Sequence, residues 1–457
     1  MQPFTDSLGH PLPQGAPLDR MAHFNRERIP ERVTHAAGTG AFGRFTAYEG
    51  APACSSAHFL AEAGRQTPAF VRFSLMSGRP GAAESMRDVR GMAVKLYTQE
   101  GICDWVAQHL PVYFLRTADR FPDLVHALGP DPTTGLYDPA RLWDFCACLP
   151  ETTQALIYLY SDLGTLKSYR YMDAYGVNTY RWTDAQGTAR LARWRWTSLQ
   201  GRRTLTRQEA QRLKATDPQC ATRDLTLALE QGYFPEWELQ VQLLLPAEAE
   251  MVSFDPLDAT HSWPEGDHPW RPVGRLRLDR LPTNAFAQVE QAAFSPANLV
   301  PGMAASADPL LRARLWASGD AQRYRLGVNY GQLPVNRAAN GILNFQQDGA
   351  MAFDLPEGPI NYAPNASLPE GLPRGGGVPG NAHPYAGRQD DYAQAGAAYR
   401  ALSPEEQDNL IDNLAEQLAH IPQDIGGRAA ANLYEADREL GRRMTDAAQL
   451  YAQLGMQ

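Results

Sequence analysis

Few side chains in this sequence have both the type and the spacing that chemistry needs. Five cysteines stand at 54, 103, 146, 148 and 220. An odd count with no Cys-x-x-Cys pair argues against a disulfide framework and against a zinc ribbon. Cys146 and Cys148 lie two apart in an apparent helix from Pro139 to Leu149. Such neighbours do not face each other, so they read as reduced core thiols. The run Phe70-Val71-Arg72-Phe73-Ser74-Leu75-Met76 alternates. As a strand it sets Phe70, Arg72, Ser74 and Met76 on one face and Val71, Phe73 and Leu75 on the other. Arg314, Ser318 and Arg325 fall at i, i+4 and i+11, one face of a continuous helix. Taken alone, a histidine such as His35 reads as a satisfied core residue before it reads as a catalyst.

Composition narrows the frame around these residues. The chain has 457 residues, 44% of them apolar and 20% charged, which excludes disorder as a description of the whole. Lys and Arg number 42 against 51 Asp and Glu, a net charge of −9. That balance disfavours a general nucleic-acid or polyanion binder, which needs a basic face. The first residues, Met1-Gln2-Pro3-Phe4, have neither the basic nor the apolar region of a signal peptide, and no apolar run approaches a membrane span. A cytoplasmic protein is expected.

The elements that must position the chemistry follow from periodicity. Residues 1–35 are polar and Pro-rich and read as an N-terminal arm, extended and without its own core. Strand patterns occupy Phe70 to Met76, Ala93 to Thr98, Val112 to Arg116, Asn178 to Trp182, Ala189 to Trp196 and Trp237 to Leu243. Asp184-Ala185-Gln186-Gly187 is a hairpin turn, and residues 139–170 are a helical insertion. The expected division is a β-barrel core at 36–281, a wrapping segment at 282–400 and a C-terminal helical region at 401–457. The wrapping segment is Pro-, Gly- and Asn-rich and carries one helix near Asp308 to Gln322. Ser403-Pro404-Glu405-Glu406 forms a capping box, and Leu410, Ile411, Leu414 and Leu418 then form an apolar stripe. The whole reads as α+β, a closed antiparallel β core with helices added at the C-terminus.

Several motifs resemble one family. Arg28-Ile29-Pro30-Glu31-Arg32-Val33-Thr34-His35-Ala36 and Gly38-Thr39-Gly40-Ala41-Phe42-Gly43 resemble the distal-histidine segment of monofunctional haem catalases of the small-subunit type. So do Phe70-Val71-Arg72-Phe73-Ser74, Arg87-Asp88-Val89-Arg90-Gly91, Glu290-Gln291-Ala292-Ala293-Phe294-Ser295-Pro296 and Tyr324-Arg325-Leu326-Gly327-Val328-Asn329-Tyr330. The resemblance runs in order from about residue 20 to 450. It implies the catalase fold: an eight-stranded antiparallel β-barrel with an N-terminal arm, a wrapping segment and a C-terminal helical domain. It also implies a homotetramer with interlocked arms.

Carried over residue by residue, the resemblance makes His35 the group that moves a proton between peroxide oxygens. That task needs a donor and acceptor near neutral pH. Ser74 becomes its orienter. Gln108 stands where the family has a distal asparagine, its amide one methylene further out. Arg32, Arg72 and Arg325 match the partners of the haem propionates; guanidinium forks suit carboxylates, and buried arginines are costly without an anion. Phe114, Phe121 and Phe294 offer flat walls to a porphyrin.

The departures are as informative. The family supplies an axial tyrosinate from Arg-x-Phe-x-Tyr-x-Asp, and here the run is Arg314-Leu315-Trp316-Ala317-Ser318-Gly319-Asp320. Ser318 holds the ligand position, with Arg314 one turn before it. A serine oxygen stops roughly 4 Å short of a phenol's reach. Thr34, Met76, Leu110, Tyr113 and Trp316 also depart from the usual residues. Gln154, Leu163 and Glu265 replace residues that support the family's optional nicotinamide dinucleotide, so no bound NADPH is expected.

The leading expectation is a haem b oxidoreductase acting on hydrogen peroxide, an organic peroxide or a specialised small substrate, with catalase turnover weakened by the missing tyrosinate. The alternative is a non-catalytic scaffold of the same fold, without haem. A third reading, an ordinary catalase disabled by design at position 318, sits poorly with Gln108 and Thr34.

Overall fold

The structure is a computed structural model that describes residues 5–11, 15–340, 346–353, 358, 360–362 and 390–454. Two compact units divide the chain, the first built from residues up to 361 and the second chiefly from residues 380–457. Much of the expected wrapping segment, 363–389, lies outside the described residues.

Among the described residues the first unit has ten strands: β1 (Gly38–Ala47), β2 (Gln66–Leu75), β3 (Arg90–Thr98), β4 (Gly101–Gln108), β5 (Ala174–Tyr175), β6 (Tyr180–Thr183), β7 (Ala189–Ser198), β8 (Glu236–Leu244), β9 (Arg271–Arg280) and β10 (Met303–Ala305). Eight of them close a ring in the order β1-β2-β3-β4-β5-β7-β8-β9, with β9 pairing back to β1. Every pairing is antiparallel. Strand β6 pairs with β7 outside the ring, and β10 extends it. The β6–β7 hairpin turns at Asp184–Gly187, where Gly187 takes a φ of 82° that an L side chain resists. The two-period pattern sorts the wall. Val71, Phe73, Met92, Val94, Cys103 and Trp105 point into a buried core with Trp194, Trp196 and Trp237. Trp105 meets the rings of Trp182, Trp194 and Trp196 edge-on at 4.9–5.9 Å. Each such side chain contributes about 1.5–3 kcal/mol by leaving water.

Alternate residues face outward, and the register aligns them in rows. One row is Gly38, Ser74, Gly91 and Gln108; the next is Gly40, Arg72, Ala93 and Val106; the third is Phe42, Phe70, Lys95 and Asp104. Between β4 and β5 lies the helical insertion, with helices Phe121–Leu128, Pro139–Ala147 and Thr153–Tyr160.

Three local expectations fail. Val112 to Arg116 is not a strand: Pro111 lacks an N–H, and the Val112 carbonyl is taken by the Gln108 side chain at 2.7 Å. The arm is not wholly extended, since Ala16–Phe24 is helical with Leu18, Met21 and Phe24 exposed. The helix in the wrapping segment runs further than expected, Pro309–Leu326, and so includes Arg325.

Among the described residues the second unit has four helices: Ala393–Ala401, Pro404–Ala419, Gln423–Ala436 and Arg438–Leu454. The capping box is present, with Ser403 and Glu406 each accepting the other's backbone N–H. The Leu410–Leu418 stripe packs with Tyr399, Leu440 and Met444.

Candidate active site

The segment before β1 lies against the outward row of small residues. A Cβ at Gly91 would stand 2.7 Å from Ser74 Oγ and 2.8 Å from His35 Nδ1, so only glycine leaves room for the imidazole. His35 Nδ1 and Ser74 Oγ are 2.9 Å apart. Among the described residues Nε2 has no protein partner. His35 itself adopts φ 62°, a left-handed conformation that costs a non-glycine residue of order 1 kcal/mol or more. The surroundings hold it there. Its N–H donates to Met76 O at 3.0 Å, and Arg72 donates to His35 O at 2.8 Å and to Ala36 O at 2.9 Å. Burial, with the charges of Arg72, Arg314 and Arg32, pushes the imidazole pKa down to about 3. His35 is therefore neutral at physiological pH.

Gln108 lies in the Gly91 row, beside this pair. Its Nε2 donates to Val112 O at 2.7 Å and to Leu110 O at 3.4 Å, so the extra methylene folds the amide toward its own strand end. The neighbouring His109 is structural. It accepts from Arg90 N at 2.9 Å through Nδ1, and its Nε2 lies 3.0 Å from Leu163 O.

Two arginines converge on one acid, with a third nearby. Glu290 Oε1 accepts from Arg32 at 3.1 Å and from Arg325 at 3.0 Å. Arg32 also donates to the Val289, Glu290 and Ala292 carbonyls, and Arg325 to Pro30 O and Gln322 Oε1. Arg72 is 3% exposed and has no carboxylate partner; its Nε is buried and unpaired. Burial and the other two cations push Arg32 down to about 8, and burial pushes Arg72 down to about 10. Three guanidinium groups around one carboxylate leave a cluster short of negative charge.

The helix Pro309–Leu326 starts from a well-tied cap. Asp308 accepts from Leu311 N at 2.9 Å, and from Asn178 Nδ2 and Thr179 N at 3.0 Å each. Asn178 Oδ1 in turn accepts from Arg314. Ser318 is half-buried on this helix, and among the described residues its hydroxyl has no protein partner. Trp316 is 80% exposed and Tyr324 76%, so neither fills the space beside Ser318.

The expected aromatic walls lie in two places. Phe114 and Phe121 belong to an apolar cluster with Met76, Leu110 and Tyr113. Phe294 stacks on Phe70 with ring centroids 6.2 Å apart, and Lys95 Nζ lies 4.8 Å over it. Lys95 is ion-paired at 2.7 Å to buried Asp104, which also accepts from Ser295 N and Asn298 Nδ2 and so pins the Phe294 segment to the barrel. Thr34 and Met76 line a cavity of about 630 Å³ beside the His35 segment. Glu265 accepts from Arg195 at 3.1 Å and from the Trp270 indole at 2.9 Å. Gly91 and Glu290 also shape the site. Their signals are a glycine opposite Ser74 in the strand register and the one acid within reach of two arginines.

A barrel whose outer wall carries a histidine–serine pair beside an arginine cluster matches one class of protein, and the comparisons agree. The catalase sequence family matches residues 12–368, and a second family, described as catalase-related immune-responsive, matches residues 386–448. A bromoperoxidase-catalase of Streptomyces venezuelae is 42% identical over 443 residues, covering 94% of this chain and 92% of that one. A catalase of Streptomyces coelicolor is 42% identical over 445 residues, with 94% and 91% covered. The crystal structure of a fungal catalase superposes with a TM-score of 0.77 at 34% identity, covering 98% of this chain and 97% of that one. The chain belongs to the catalase family.

Proposed function

We propose that this protein is an oxidoreductase acting on hydrogen peroxide or an organic peroxide. The observation that carries the reading is the His35–Ser74 pair, 2.9 Å apart over Gly91, on a loop clamped by Arg72. The names of the relatives, catalase and bromoperoxidase-catalase, support it.

The residues present fit haem b at its carboxylates and ring. Arg72, with its buried unpaired Nε, and the electron-poor cluster of Arg32 and Arg325 suit two propionates. Phe114, Phe121 and Phe294 would give a flat ring its apolar walls. Haem, when bound, supplies the iron centre for peroxide chemistry. His35, neutral at Nε2, takes a proton from one peroxide oxygen and returns it to the other. Ser74 fixes the ring through Nδ1, and Met76 closes the side of the pocket. Gln108 spends its N–H bonds on backbone carbonyls and keeps its Oε1 for substrate. Ser318 in the place of the family's tyrosine gives no anionic ligand, and Arg314 has no phenol to ionise, so dismutation is slow. A homotetramer, a cytoplasmic site of action and no bound dinucleotide belong to the same reading. Among the described residues no helix is long and apolar enough to cross a membrane.

A haem-free scaffold is the second reading. It is favoured by Glu290, which already gives Arg32 and Arg325 an anion. The absorption spectrum and peroxide consumption of the purified protein decide between them. A Soret band with measurable consumption supports the enzyme. No band after incubation with hemin, together with no consumption, sinks it.

A further inference from the structure

Indole rings stand at the centre of the barrel core. Four of the chain's nine tryptophans, Trp105, Trp182, Trp194 and Trp196, meet there, each at most 3% exposed. Ring centroids lie 4.9 Å apart for Trp105 and Trp194, 5.8 Å for Trp105 and Trp182, and 5.9 Å for Trp105 and Trp196. Packing alone does not account for them. The indole N–H groups of Trp105 and Trp196 are buried without an acceptor, a destabilising choice that phenylalanine or leucine would avoid. The cluster also adjoins the candidate site on two sides. Trp105 stands on β4 between Asp104 and Val106, and Val106 shares its outward row with Arg72, so one sheet thickness separates the indole from that wall. The Trp194 ring lies 6.4 Å from that of Tyr180, which follows Asn178, the acceptor of Arg314, and is within reach of the Arg314 charge.

Indoles are among the side chains that give up a single electron most readily, and rings in contact pass one between them. An indole with no acceptor for its N–H keeps its proton on oxidation, and neighbouring indole faces stabilise the cation that results. We propose that the tryptophan cluster is an electron store for the peroxide site. On the peroxide reading above, two indoles each lose one electron and no proton. Hydrogen peroxide gains those two electrons, with two protons from solvent, and leaves as two water molecules. Two molecules of a soluble one-electron donor, of the ascorbate or phenol class, return the electrons. Where dismutation is slow, the store draws off oxidising equivalents that otherwise attack the pocket, Met76 among its residues.

Hemin-loaded protein mixed with hydrogen peroxide and freeze-quenched should give an EPR signal that changes when the tryptophans carry deuterated indole rings. Trp105→Phe should lower its yield at least threefold and raise sulfoxide at Met76, read by mass spectrometry, whereas Trp143→Phe on the surface should change neither. An unchanged yield in folded Trp105→Phe overturns the proposal; if that variant misfolds, Trp196→Phe takes its place, with at least a twofold loss expected. A second measurement needs no hemin. Photochemically generated tris(bipyridine)ruthenium(III), a one-electron oxidant, should leave oxygen on Trp194 and Trp196 at least threefold more than on Trp237, which is as deeply buried but donates its N–H to Met172 O at 2.9 Å. Equal labelling overturns the proposal. Cluster labelling without peroxide consumption sinks the enzyme and keeps the electron store, while consumption without an indole radical sinks the store and keeps the enzyme.

Discussion

The distal wall and the proximal helix are held by different means. On the wall, His35 is fixed at its side chain by Ser74, at its N–H by Met76 and at its carbonyl by Arg72, over a glycine that no other residue could replace without a clash. On the helix, Arg314 and Arg325 are tied to Asn178, Gln322 and Glu290, yet Ser318 between them touches no polar partner. Precision is invested in the acid–base side and in the arginines. Position 318, which the proposed reading gives to the ligand, holds a serine. On the reading proposed above, the contrast is between a shell whose bonds, Arg72 Nε apart, run to backbone and to one another, and a position 318 that holds only a serine.

Removing the imidazole should have the largest effect. His35→Ala should lower peroxide consumption about 10²–10⁴-fold, the range for a positioned acid–base group. A loss below tenfold in stopped-flow assays would show that the wall's order is structural. Arg72→Ala comes next. It removes a charge-assisted donor worth about 1.5–3 kcal/mol, so hemin affinity should fall roughly ten- to hundredfold. Arg32→Ala should cost less, since Glu290 already engages Arg32; equal losses in hemin titration would erase that distinction.

Ser318→Tyr sharpens the comparison from the other side. The variant should show a tyrosinate-type haem spectrum and raise dismutation by about tenfold, with Arg314 one turn earlier favouring the ionised phenol. Because Trp316 faces outward, crowding from that residue does not oppose the phenol. Adding Gln108→Asn should raise the rate by more than additivity, since residues that share a pocket couple. A folded, haem-loaded double variant with parental dismutation would mean that the absent tyrosinate is not limiting.

The smallest effect concerns pH. His35 and His109 are each held near pKa 3 by burial and neighbouring arginines, against about 6.5 in the unfolded chain. Below pH 6.5 the unfolded state takes up protons that the native state refuses. Stability is therefore lost as pH falls from about 6.5 toward 3, by at most about 1.4 kcal/mol per pH unit for each histidine. Urea midpoints at pH 7 and pH 5 should differ less in His109→Gln than in the parent. An unchanged difference would remove His109 from the account. Peroxide consumption should stay flat between pH 5 and 8, because His35 does not titrate there.

Much of this was legible in the sequence because alternation and helical spacing are local. The Phe70–Met76 strand, the β6–β7 hairpin, the Ser403 capping box and the face shared by Arg314, Ser318 and Arg325 each follow from a few neighbouring residues. What stayed hidden depends on chain segments far apart. Gly91 matters because β2 and β3 pair in a register that puts it opposite Ser74. Glu290 matters because its segment returns to meet Arg32, 258 residues earlier. Val112 to Arg116 looked like a strand because its β-branched and aromatic residues suit one. Nothing in those residues announced that the Gln108 amide would claim the Val112 carbonyl.

Arg72 makes two equilibria one. The same guanidinium that grips the carbonyls of His35 and Ala36 keeps its Nε edge unspent. Whatever anion binds that edge restrains the arginine, and through it the left-handed turn at His35. The coupling is reciprocal: a loop change that frees His35 must weaken anion binding by the same factor that anion binding quiets the loop. Amide exchange at Ala36 and Ala37 would thus report on the occupancy of a site that neither residue touches.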